Sequence, residues 1–132
     1  MSTSIGCLNI LAQRVALILA LLVLYSCSAP NKESIAEDFR QIFAKEGGAD
    51  ALPVVLSIHT GEGDADNVYE HIKFDVLAME DVSFKSGWLT GMTLGNGKKL
   101  HDGEVVVLYQ RKNGSQWVIT KYQLTRKPSE RR

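Results

Sequence analysis

The longest uninterrupted apolar run, Val15 to Leu24, is ten residues long with Arg14 in front of it. As a helix it would extend about 15 Å, half of a ~30 Å hydrocarbon core, which suits the apolar segment of a secretory signal better than a membrane span. Residues 1–27 contain no acidic side chain. Further on the period changes. Within residues 33–46, Ile35, Phe39, Ile42 and Phe43 recur at i, i+4, i+7 and i+8, an apolar stripe along one side of a helix. Ser34 and Glu37 have capping-box spacing, Asn31 is an alternative cap, and Gly47-Gly48 supplies the stop.

After Pro53 the pattern shortens to period two. Val54 to Ile58 reads as a strand closed by Gly61-Glu62-Gly63-Asp64. Val68 to Met79 is a second, with Ile72, Phe74 and Val76 on one face and Lys73 and Asp75 on the other. Ser83 to Leu94 is a third, broken at Gly87 or Gly91, and Gly95-Asn96-Gly97 is a turn. Gly103 to Arg111 and Gln116 to Thr125 flank Asn113-Gly114, the signal for a two-residue hairpin turn. That register sets Tyr109 opposite Val118 and Val107 opposite Thr120, with Val105, Tyr122 and Leu124 on the same face. Val106, Leu108, Trp117 and Ile119 fall on the other. Both faces are apolar, which predicts a central strand pair covered on two sides. The expected fold is α+β: one N-terminal helix packed on a curved antiparallel sheet of four to five strands.

The closing stretch, from Val107 through Asn113-Gly114 to Trp117-Val-Ile119, resembles the last hairpin of cystatin-like and NTF2-like domains, where a polar Gly-containing turn precedes a Trp-x-Ile strand. The single helix favours the cystatin-like variant. The NTF2-like resemblance implies an alternative, a small-ligand carrier or an enzyme with Asp and Tyr inside a sheet-lined pocket. Asp75, Tyr109 and Tyr122 are the residues available for it. Asp75 is expected on the solvent side, and no motif assigns catalysis. Trp117, Tyr109 and Tyr122 are the candidate ligand or partner contacts.

The apolar run ends in Leu24-Tyr25-Ser26-Cys27. Here the chain resembles a bacterial lipoprotein precursor, whose lipobox has Leu three places before a Cys and small residues between. Tyr25 is bulkier than the usual occupant. The resemblance implies cleavage before Cys27, a diacylglycerol on its sulfur and an acyl chain such as palmitate on its amine. Two or more chains anchor stably where one does not. Ser28, where Asp would signal retention at the inner membrane, implies sorting to the outer membrane, with the domain facing the periplasm. The organisation expected is a signal peptide over 1–26, lipidated Cys and tether over 27–32, one α+β domain over 33–126 and a basic tail over 127–132.

Charge and chemistry narrow the picture further. The chain has 15 Lys and Arg and 15 Asp and Glu. That balance gives no reason to expect nucleic acid as a partner. Cys7 lies in the signal, so the domain beyond Cys27 has no thiol and must fold without a disulfide. Asp64-Ala-Asp66-Asn67 is read as an acidic turn, because a calcium loop needs more oxygen ligands at set spacing. His59, His71 and His101 share no zinc-ligand spacing, so no metal and no cofactor is expected. Arg126, Lys127, Arg131 and Arg132 read as a solvated terminus, or else as a contact for anionic lipid head groups or an acidic envelope protein. Cys27→Ser should abolish incorporation of labelled fatty acid and release the protein from membranes, and label retained on that variant would contradict the lipobox reading.

Overall fold

The computed structural model describes residues 30–131 apart from residue 115, so the expected signal segment and Cys27 lie outside the described residues. Helix α1, Lys32–Phe43, begins where Asn31 Oδ1 accepts the Ser34 N–H at 2.8 Å. Asn31 is therefore the cap, and Glu37 instead meets Arg40 at the surface, 3.2 Å away. The helix passes into a wide turn, Ala44–Gly48, in which Gly47 takes a φ of 95°. Its stripe of Ile35, Phe39, Ile42 and Phe43 is buried as the spacing requires.

Four long strands make the sheet: β1 (Leu52–Gly63), β2 (Asn67–Leu77), β5 (Lys99–Lys112) and β6 (Gln116–Arg126). They lie in the order β1-β2-β5-β6, with every neighbouring pair antiparallel. The fold is thus α+β, one helix against an open four-stranded antiparallel sheet. The expected strand at 83–94 is instead two short ones, β3 (Val82–Ser83) and β4 (Thr93–Leu94), paired around a helical turn at Gly87–Leu89. Gly87 and Gly91 both take positive φ, which folds the segment back on itself.

The last hairpin departs from the sequence expectation by one residue. Lys112 pairs with Gln116, Arg111 with Trp117 and Tyr109 with Ile119, and past a bulge Val107 pairs with Tyr122. Side chains alternate with period two, so one extra loop residue moves Trp117 and Ile119 onto the face of Tyr109. Nor is this a central pair: β5 is interior, whereas β6 is an edge.

The core lies between α1 and the inner face of the sheet. Phe39 and Phe74 stack at 4.8 Å between centroids, and Phe43 stands 6.1 Å from Phe39 and 6.0 Å from Phe74. Such tilted aromatic groups contribute beyond their buried area. Gly103 faces Phe74 in the register, and a Cβ there would come within 2.5 Å of the ring. Val82, Phe84, Leu89 and Leu94 from the β3–β4 region join the same core.

Asp75 is not solvent-exposed: it is 2% exposed, accepting the Asp102 N–H at 3.0 Å with His101 Nδ1 3.3 Å away. The carboxylate thereby holds the start of β5 where Asp102 takes a φ of 63°. The C-terminal segment is not wholly solvated either. Pro128 is fully buried and Ser129 bridges back to His101, its N–H donating to the His101 carbonyl at 2.9 Å. Lys127 and Arg131 remain exposed.

A polar latch joins the helix to the sheet. Tyr109 Oη donates to Asp38 Oδ2 at 2.7 Å, and Lys32 Nζ donates to the Ile58 carbonyl at 2.8 Å. Beside them Glu70 is completely buried, its two oxygens receiving the Thr60 hydroxyl at 2.9 and 3.1 Å. Burial and the Asp38 bond push the Tyr109 hydroxyl well above its ordinary pKa, so it stays protonated and donating. Burial also raises Glu70 above the usual carboxylate range, with the Thr60 bond and the Lys32 charge pulling partly back. A raised folded-state value favours folding only while the group is protonated. The contribution is complete below the ordinary Glu range and is lost as pH climbs through the folded value. Glu70→Gln should therefore raise the melting temperature relative to wild type near neutral pH, and the gap should close in acid. A Gln variant less stable at neutral pH would show that the ionised carboxylate is needed.

Candidate functional site

The three sequence candidates, Trp117, Tyr109 and Tyr122, occupy the same face of the β5–β6 pair. Tyr109 is 3% exposed and spends its hydroxyl on Asp38, so it belongs to the latch. Trp117, Ile119, Tyr122 and Leu124 run along β6 and are only half-buried. The reason is geometric: of the sheet strands, α1 lies closest to β1, at the opposite margin from β6. Past the helix, the turn at Ala44–Gly48 and the segment at Gly87–Leu89 cover β6 in part.

Each aromatic on this strip is held in place. Tyr122 Oη donates to Glu46 Oε2 at 2.7 Å, and its ring meets Trp88 edge-on with 6.0 Å between centroids. The Glu46 bond raises the phenol's pKa, which keeps it a donor. Trp117 faces the Arg111 guanidinium, whose carbon lies 4.8 Å from the ring centroid. The strip therefore presents fixed, amphipathic surfaces with polar tips, the combination that recurs in protein contacts.

It does not assemble a proton-transfer site. Asp75 is engaged at His101 and Asp102, while Tyr109 stands seven or more residues further along β5, roughly 23 Å at ~3.3 Å per residue. The space expected to form a sheet-lined pocket holds Phe39, Phe43, Phe74, Ile72 and Val107.

A groove of 740 Å³ opens on the other face of the sheet, lined among others by Ser57, His59, Tyr69, His71, Lys73 and Glu104. His59 and His71 are direct cross-strand partners with ring centroids 6.3 Å apart. Their linear separation hides this, and the β1–β2 register about the Asp64 turn is the signal that reveals it. In that turn Asp64 Oδ1 accepts the N–H groups of Asp66 and Asn67 at 2.8 and 2.9 Å, which lowers its pKa. Its carboxylate thus shapes the turn that sets the two histidines opposite each other. The latch residues Asp38 and Glu70 also escaped the sequence reading, although Glu70 shares the parity of Ile72 and Phe74.

No family model, curated protein or solved structure matches the chain. Among the described residues no helix is long and apolar enough to cross a membrane.

Half-burial sets the cost of removing Trp117. A fully buried Trp or Phe truncated to Ala costs about 3–5 kcal/mol, and an edge-strand Trp sharing its ring with solvent should cost about 1–3. Denaturant unfolding of Trp117→Ala measures this, and a loss above about 4 kcal/mol would place the ring inside the core.

Proposed function

We propose that the chain is a bacterial outer-membrane lipoprotein, anchored through Cys27 and facing the periplasm. Its domain acts as an accessory module that binds an envelope protein along β6. The observation that carries this reading is the edge strand itself: its inner face shows Trp117, Ile119 and Tyr122 half-buried, and its outer backbone edge pairs with no other described strand. An edge of this kind accepts an added strand through main-chain hydrogen bonds, while flanking aromatic side chains supply selectivity. A tether over 28–32 can extend at most ~3.3 Å per residue, which would keep the domain near the bilayer.

A small-ligand carrier or NTF2-like enzyme is less well supported, because aromatic side chains fill the space between helix and sheet and Asp75 stands far from both tyrosines. Site-specific photo-crosslinking in cells separates the two readings. A crosslinker at exposed Thr120 or Gln123 of β6 should trap a protein partner, and one at Met79 or Lys98 should not. Trp117→Ala should weaken the trapping while fatty-acid labelling persists. Lipidated protein with no β6 crosslink would contradict the binding surface, whereas an unlabelled protein would contradict the anchor.

A further inference from the structure

We propose that His59 and His71 together bind a divalent transition-metal cation on the outer face of the sheet. The two residues face each other directly across β1 and β2, and their rings stand 6.3 Å apart with planes inclined by 51°. Imidazole nitrogens bind such ions at about 2.0–2.1 Å, which puts each ring centre about 3.2 Å from the metal and the two rings about 5 Å apart at a tetrahedral angle. Closing from the observed separation asks for about 1 Å of movement from two exposed side chains. Rotation about their χ angles supplies that without moving the strands.

The surroundings keep this place open. Gly61 lies two residues beyond His59 on β1, and a Cβ there would come within 2.6 Å of His71 Nε2. The missing side chain thus leaves room for the His71 ring beside Gly61. Glu62 lines the same groove with a negative charge suited to a cation, and Lys73 opposes it with a positive one. Among the described residues no three His, Cys, Asp or Glu side chains stand together as a metal-binding group. The pair therefore supplies two ligands and water the others, which makes an open, exchangeable site rather than a structural one. Imidazole suits copper, nickel and zinc, and affinity for divalent ions peaks at Cu²⁺. The absence of zinc-type spacing in the sequence does not bear on it, because the ligands come from two strands. The site stands whether or not Cys27 is lipidated.

The test is a titration of the untagged full-length chain in detergent with Cu²⁺ and Zn²⁺. One ion should bind per chain, Cu²⁺ more tightly, and the Cu²⁺ electron paramagnetic resonance spectrum should show two nitrogen donors. His59→Gln and His71→Gln should each weaken binding by about tenfold or more, since each removes one of the two donors. Gly61→Ala should weaken it by displacing the His71 ring, and Lys73→Ala should tighten it. His101→Gln, at the far end of the sheet, should leave it unchanged. Metal-free melting temperatures of the His variants should match wild type, because both side chains are exposed. Equal affinity in the His59→Gln/His71→Gln double variant, or an equal loss in His101→Gln, would overturn the proposal.

Discussion

A single twelve-residue helix has to cover a four-stranded sheet, and it cannot. At about 1.5 Å per residue α1 is roughly 18 Å long and ~10 Å across, while four strands at ~4.8 Å spacing form a face nearly twice that width. Where the helix sits therefore decides what is core and what is surface. It sits toward β1, over Ile72, Phe74 and Val105, and these positions are fully buried. The inner face of β6 lies beyond its reach. The turn after α1 and the β3–β4 excursion cover part of the deficit, and Trp117, Ile119 and Tyr122 remain half-wet.

Placement of the helix is itself specified by polar groups. Phe39 packs on Phe74 at the helix–sheet contact, but packing alone is tolerant of small shifts. The Tyr109–Asp38 bond and the Lys32 contact with the Ile58 carbonyl tie the first two turns of α1 to β5 and β1. Glu70, buried at no net gain when ionised, is tolerated because Thr60 satisfies it and Lys32 stands nearby.

Much of this was legible from the residues. The helix stripe could be read directly, because a 3.6-residue period admits one face only. The four long strands were legible from alternation, though the expected strand at 83–94 was not one, and the Asn113-Gly114 turn was legible from its need for positive φ, which both residues adopt. Trp117 and Ile119 were misplaced because strand parity amplifies a one-residue error in loop length into a change of face. Asp75 was misjudged because its direction was read correctly but its cover was not: the chain segment around Pro128 and Ser129 returns to shield that end of β5, a long-range contact with no local signature. The His59–His71 juxtaposition depends on register across a turn, which periodicity alone does not reveal.

Residue-resolved amide hydrogen exchange on the protein tests the central claim, that helix coverage ends before β6. Amides of α1, β2 and β5 should be the slowest, and β6 amides directed away from β5 should exchange orders of magnitude faster, because an edge strand opens without disturbing the core. Uniform protection across β5 and β6 would contradict it, since the half-covered edge on which the proposed binding surface rests would then not exist.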